Sequence, residues 1–224
     1  MMMSLFSMFD PSTISSIQLN WMIMIMTILF MPLNFWTKKS RMINLINSIN
    51  KNLHNEFKML FTKSITLKGS TIIFISLFYF ILFNNILSNF SYTFCCSAHL
   101  VFTLSLSLPI WLSIILYSWT NLTKFMLSHL LPNNTPIMLM PLMIMIETTS
   151  NLIRPLALSI RLTANLIAGH LLMTLMGNKF NFNNYYWMML FLIQILFLMF
   201  EFSIAIIQSY VFSILLTLYS SEIN

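Results

Sequence analysis

The sequence LSIRLTANLIAGHLL, residues 158–172, carries one arginine as the only fixed charge in an otherwise largely apolar run. The run belongs to a longer apolar region, residues 137–175, which is longer than a soluble-core helix needs. A guanidinium at bilayer depth costs roughly 2.5–3.5 kcal/mol on insertion scales, and arginine cannot escape this cost by losing its proton. Arg161 is therefore predicted to serve as a fixed positive charge inside a membrane.

The composition of the whole chain agrees with a membrane location. The 224 residues are 58% hydrophobic and only 7% charged, with a mean hydropathy of +0.83. A soluble domain carries about 25% charged residues, so this chain cannot cover a globule with polar surface. Long unbroken apolar runs, without the alternation of a barrel strand, exclude a transmembrane β-barrel. The sequence predicts a single all-α integral membrane domain.

The apolar runs predict about five membrane helices and one amphipathic interfacial helix. The last two runs exceed the roughly 20–25 residues that a span needs, and neither contains a strong turn signal. They are predicted to be two long, strongly tilted helices that form an antiparallel hairpin. The predicted segments are a first span at 17–36, an interfacial helix at 37–69, spans at 70–87 and 99–119, and the long helices at 137–176 and 185–219.

Charge placement predicts the orientation. The formal net charge is +6, and seven of the 11 lysines and arginines lie between Lys38 and Lys68. This basic segment has apolar residues at three- and four-residue spacing, which indicates a helix on the membrane surface rather than a nucleic-acid interface. By the positive-inside rule, the segment and the C-terminus face the matrix or cytoplasm, and the N-terminus faces the opposite side.

Two rows of polar residues run along the long helices. Glu147, Arg154 and Arg161 are seven apart and share a helix face. Asn165 extends that face, whereas His170 falls on nearly the opposite side.

The second row has the same spacing: Gln194, Glu201 and Gln208 are again seven apart. An antiparallel hairpin would bring Arg161 to the height of Gln208 and His170 to that of Glu201. The sequence therefore predicts a protonatable pair on one side of the membrane, a permanent cation in the middle and the carboxylate of Glu147 on the other side.

Structural interpretations compete with functional ones for several of these residues. A single membrane glutamine such as Gln194 usually joins helices by a hydrogen bond, and Arg154 could have a structural role. Cys95 and Cys96 are adjacent, carry no metal signature and are interpreted as incidental. Ionisable residues such as Arg161, Glu201 and His170 more often mark an ion or proton path.

Four segments of the chain carry a resemblance to a known family. ETTSNLIRPLALSIRLTANLIAGHLLMTLMG (147–177) and IQSYVFSILLTLYSSEIN (207–224) look like the signatures of subunit a of mitochondrial F-type ATP synthases. MFDPST (8–13) and PLNFWTKKSR (32–41) are similar to that family as well, so the resemblance covers essentially the whole chain. It implies a proton-conducting stator subunit in the mitochondrial inner membrane, with its N-terminus in the intermembrane space and its C-terminus in the matrix.

The resemblance also implies roles for individual residues. They are the essential arginine at Arg161, the entry half-channel carboxylate at Glu201 with its histidine partner at His170, polar positions near the arginine at Gln208 and Asn165, and an acidic residue on the exit side at Glu147. Arg154 stands where other members can carry a neutral residue, so no role is carried over to it.

The partners implied by the resemblance are the rotor c-ring, the other Fo and stalk subunits, lipid and protons. No cofactor, metal, nucleic acid or directly bound nucleotide is expected, and the chain is not expected to be an enzyme on its own. The main alternative is a hydrophobic subunit of another proton-pumping respiratory complex, which would carry lysines in its spans. A haem-bearing subunit, which would need paired histidines on facing helices, and a purely structural anchor are weaker alternatives.

Overall fold

A computed structural model describes residues 6–12, 18–29, 38, 40–61, 69–90, 93–131, 135–179 and 186–222. Within these ranges the regular structure is helical and no strand occurs, which confirms the prediction of an all-α membrane protein. The α-helices are α1 (Met22–Leu29), α2 (Arg41–Leu60), α3 (Ser70–Ser88), α4 (Leu100–Asn121), α5 (Thr123–His129), α6 (Met140–Asn178) and α7 (Trp187–Glu222).

Four of these helices, α3, α4, α6 and α7, are long and apolar enough to cross a membrane. The first predicted span corresponds to a short apolar helix, Leu19–Leu29. The rest of that predicted span lies outside the described residues, so a fifth crossing stays a prediction.

The two long C-terminal runs form two uninterrupted helices of 39 and 36 residues. At a rise of 1.5 Å per residue they are about 58 Å and 54 Å long. Pro155 is buried within α6 and does not end it, as often happens where neighbouring groups satisfy the freed backbone carbonyl. This confirms two long helices instead of four short ones. The residues that connect them, 180–185, lie outside the described part of the chain.

Helix α2 begins at a serine cap, where the backbone N–H of Ile43 donates to Ser40 Oγ at 3.3 Å. The predicted amphipathic pattern is present, but part of its apolar face packs against protein. Leu53, Phe57 and Phe61 are buried against α3 and α7. Helix α2 is therefore packed into the bundle along part of its apolar face, and its position at the membrane surface stays a prediction.

Part of the connection between α4 and α6 is helical, because Thr123–His129 forms α5. The strong breakers of the segment, Pro132, Asn133, Asn134 and Pro136, come only after this helix. Residues 123–129 contain no proline or glycine, so a helix of about two turns can form there.

The bundle is built around α3, α6 and α7: α3 packs mainly on α7, α4 packs on α6, and α6 also packs on α7. Phe57, Ile81, Leu162, Phe212 and Leu216 are fully buried where these elements meet. Small hydroxyl side chains allow close helix approach in membrane proteins. Those fully or almost fully buried here on α6 and α7 are Ser159, Thr163, Ser209, Ser213, Thr217 and Ser220.

The loop between α3 and α4, which contains no Asp, Glu, Lys or Arg, is packed into the bundle. Phe94, Cys95, Cys96, Ser97 and Ala98 are all buried. The short 3₁₀ turn Cys96–Ala98 contacts α3, α4 and α6. The loop therefore forms part of the wall around the C-terminal half of α6.

Candidate functional site

Arg161 lies near the middle of α6, on a face that no described element covers. Its side chain is exposed, as are those of Ala157, Ala164 and Ala168. The opposite face, by contrast, is fully packed, with Leu162 only 1% exposed. Within the described residues the Arg161 guanidinium makes no hydrogen bond or ion pair. A mid-helix cation thus projects from a low, alanine-lined surface.

A cavity of about 390 Å³ lies between α3, α6 and α7, beside this surface. Most of its wall is apolar, including Phe197 and Phe200. Its polar lining residues are Asn85, Asn89, Asn165, Glu201 and Gln208. We call this space the hairpin cavity.

Glu201 is half-buried and lies against α6 at Gly169. A Cβ atom built on Gly169 would approach Glu201 Oε1 to 2.5 Å and Glu201 Cδ to 3.0 Å. The absence of a side chain at Gly169 is therefore what allows the carboxyl group its position. Glu201 Oε1 is itself buried and accepts no hydrogen bond from any described group.

Two asparagine side chains at the end of α3 also have buried atoms that make no hydrogen bond with a described group. Asn85 is 1% exposed, yet neither its Oδ1 nor its Nδ2 makes a hydrogen bond with a described group, and Asn89 Nδ2 is likewise unpaired. Buried polar atoms in folded proteins nearly always have a partner, either protein or ordered water. A cavity of this size with several polar lining residues has room for water molecules, and water is the partner expected for these atoms.

Asn165 and Gln208 join the two long helices in the same cavity. The Nδ2 of Asn165 donates to Oε1 of Gln208 at 3.2 Å. Gln208 was predicted to lie at the height of Arg161. It pairs instead with Asn165, which lies one helical turn further along α6. Together with the Gly169–Glu201 contact, this places α6 and α7 within about a turn of the predicted antiparallel register.

Among the described residues His170 makes no hydrogen bond with Glu201, and their pairing stays a prediction. The imidazole is buried, with Nε2 3.0 Å from Cys95 Sγ and an edge-on contact to Phe9 at 6.4 Å between ring centroids. Gly169 faces α7, and His170 lies about 100° further around the helix, facing the α3–α4 loop.

The remaining predicted residues lie away from the cavity. Glu147 is half-buried near the start of α6, about 21 Å along the helix from Arg161, whereas Gly169 and the adjoining Glu201 are about 12 Å away on the other side. Arg154 lies over the Tyr219 ring, with Cζ 5.0 Å from the centroid. Gln194 is half-buried in α7 and does not line the cavity.

Four residues of the site were not identified from the sequence as functional: Asn85, Asn89, Cys95 and Gly169. The first two had a usable signal, because asparagines four apart near the end of an apolar helix share one face. Cys95 had no such signal, since its contact with His170 joins residues 75 positions apart.

The fold and the site define a multi-pass all-α membrane protein with ionisable residues held between its long helices. A family model described as the ATP synthase A chain matches residues 17–221. Proteins named ATP synthase subunit a are 51% identical in Drosophila melanogaster, over 225 residues, and 50% identical in Anopheles quadrimaculatus and in Locusta migratoria. Each of these comparisons covers 100% of both chains.

The chain therefore belongs to the ATP synthase subunit a family. It is a component of the ATP synthase complex, acts in the Fo sector and associates with other subunits of that complex. This membership decides against the respiratory-complex and haem alternatives raised by the sequence.

Proposed function

We propose that this chain is the proton-conducting stator subunit of its complex, facing a rotor c-ring. It would provide two offset aqueous half-channels separated by Arg161. The observation that carries the proposal is the arrangement around Arg161: an unpaired guanidinium on an exposed alanine face, with a polar cavity on one side and a carboxylate further along the helix on the other.

The entry half-channel corresponds to the hairpin cavity. Water held by the amides of Asn85 and Asn89 would carry protons to Glu201, whose Oε1 has no hydrogen-bond partner in the part of the chain that the structure describes. Glu201 can bind and release a proton, which amides cannot. His170 adjoins the cavity-lining residue Gly169 in the sequence and contacts Cys95 of the α3–α4 loop.

Arg161 acts on the carboxyl group that each rotor subunit brings past it. A cation within about 4–6 Å typically lowers the pKa of a carboxyl group by one to three units, so Arg161 favours release of the rotor proton. Since arginine stays protonated, it cannot relay a proton from one half-channel to the other. This prevents a leak that would dissipate about 2.3 kcal/mol per charge per 100 mV.

The exit half-channel would run toward Glu147, on the other side of Arg161 from Glu201. Protons released from the rotor would leave by this carboxylate into the matrix. The two carboxylates lie at different heights, about 12 Å and 21 Å from Arg161 along α6. A rotor proton must therefore travel around with the ring between the two half-channels, which couples flow to rotation.

The alanine face gives the rotor its contact surface. Ala157, Ala164 and Ala168 add little height around Arg161, and small residues allow membrane helices to approach closely. We place the chain as one domain in the mitochondrial inner membrane. The basic segment around α2 then faces the matrix, as the positive-inside rule requires.

Replacing Arg161 tests the proposal most directly. Arg161→Ala is expected to abolish proton-driven ATP synthesis while the complex still assembles, because the exposed side chain supports no packing. Synthesis would be measured with the intact complex in liposomes, and assembly on native gels. Arg154→Ala is the matched control, since it removes a cation from the same helix two turns away. Coupled synthesis by Arg161→Ala at the control rate would overturn the proposal.

A further inference from the structure

Cys95 makes the closest described polar contact of the His170 side chain. Its Sγ lies 3.0 Å from His170 Nε2, and both residues are buried, with 1% and 8% of their surface exposed. Cys95 is a free cysteine in the loop that closes the bundle between α3 and α4. The imidazole also makes an edge-on contact with the Phe9 ring.

The chemistry of the contact follows from the state of the thiol. Burial raises the pKa of the Cys95 thiol to about 12, although a hydrogen bond with Ser88 opposes this shift. The thiol therefore keeps its hydrogen and can donate it to an imidazole nitrogen. A neutral His170 that accepts at Nε2 carries its own hydrogen on Nδ1.

We propose that Cys95 is a positioning residue for His170: its S–H···Nε2 hydrogen bond fixes the tautomer and the ring orientation of the imidazole beside the hairpin cavity. The inference rests on the proposed proton-conducting function. Cys95 touches no reacting group of that function and acts only through His170, in the way that outer partners orient functional histidines elsewhere.

The neighbouring cysteine shows why burial alone does not explain this contact. Cys96 is equally buried, at 3%, but its Sγ lies 4.0 Å from the Phe94 carbonyl oxygen and makes no side-chain hydrogen bond with the described residues. The two cysteines share size, burial and loop. They differ in whether the thiol reaches the histidine, which makes Cys96 the matched control.

The test compares proton flux through the intact complex in liposomes, expressed per assembled complex. Cys95→Ala is expected to lower the flux about two- to tenfold, the effect of losing one neutral hydrogen bond. Cys95→Ser keeps a donor of similar size and is expected to restore flux to within about twofold of the parent. Cys96→Ala is expected to leave it unchanged.

The double variant separates positioning from general packing. In a His170→Ala background, Cys95→Ala is expected to have no further effect, because its partner is already gone. Equal flux in Cys95→Ala and the parent, equal loss in Cys95→Ser and Cys95→Ala, or additive losses in the double variant would each overturn the inference. Expressing flux per assembled complex keeps a lower yield of any variant from counting as a lower rate.

Glu201→Gln distinguishes the failure of this inference from a failure of the proposed function. If Glu201→Gln lowers flux and Cys95→Ala does not, the proton path stands and the positioning role of Cys95 is wrong. If Glu201→Gln also leaves flux unchanged, the proposed path itself is wrong.

Discussion

The two halves of α7 differ in the hydrogen bonding of their buried polar side-chain atoms. From Ser209 onward, the helix buries small hydroxyl side chains, and each donates to a carbonyl three residues earlier, at 2.7–2.8 Å. In the half before Ser209, Glu201 Oε1 is buried without a hydrogen bond to any described group. The second half satisfies these hydroxyl groups within the helix, whereas in the first half Glu201 Oε1 lies at the hairpin cavity without a described partner.

Side-chain volume accounts for this difference. Serine and threonine at the packed end allow neighbouring helices to approach closely. Phe197 and Phe200 line the cavity at the other end. The region with the cavity has room for water, and it also holds the Asn85 amide, which makes no hydrogen bond with a described group.

Of the substitutions that test this difference between the halves of α7, Glu201→Gln should have the largest effect on proton flux. The amide has nearly the same shape, so the cavity persists, but it cannot exchange a proton. We expect passive proton flux through the membrane sector to fall about 100-fold, within the range usual for losing an acid–base group. Glu201→Asp keeps the carboxyl group on a shorter arm and should fall between the two. Passive flux of Glu201→Gln equal to that of the parent complex would exclude Glu201 from the proton path.

Gly169→Ala should change the cavity without removing any functional group. The new methyl would meet Glu201 Oε1 at 2.5 Å, so the carboxyl group must move. We expect flux to fall about tenfold, because displacing a reacting group by 1 Å can cost even more. Gly177→Ala is the control, since nothing lies within 4 Å of its added Cβ. Both substitutions favour helix formation, so a loss confined to Gly169→Ala cannot come from backbone propensity.

The features predictable from the sequence are those that depend on length and local spacing. The two long helices follow from uninterrupted apolar runs, and the exposed position of Arg161 agrees with the alanines that surround it. The hairpin register was also predictable within about a turn, because antiparallel pairing needs only residue numbers.

Features that depend on direction around a helix or on distant contacts were not predictable in this way. The close approach of Glu201 to Gly169 is one such feature, because residue numbers give the height of a residue in the hairpin and not the side of the helix that it occupies. Cys95 reaches His170 only because the α3–α4 loop folds into the bundle, and no local pattern in the sequence indicates that fold.

Replacing Arg154 should have the smallest effect on proton flux, because this α6 residue contacts the packed half of α7 at Tyr219. Its guanidinium lies 5.0 Å from the centroid of the Tyr219 ring, and contacts of this kind contribute about 0.5–1 kcal/mol, or more when desolvated. A double-mutant cycle with Arg154→Gln and Tyr219→Leu should give a coupling energy of that size, measured as resistance to unfolding in SDS. Tyr219→Phe retains the ring and should retain the coupling. Proton flux should change less than twofold, since neither residue lines the cavity; a tenfold loss would instead place Arg154 in the proton path.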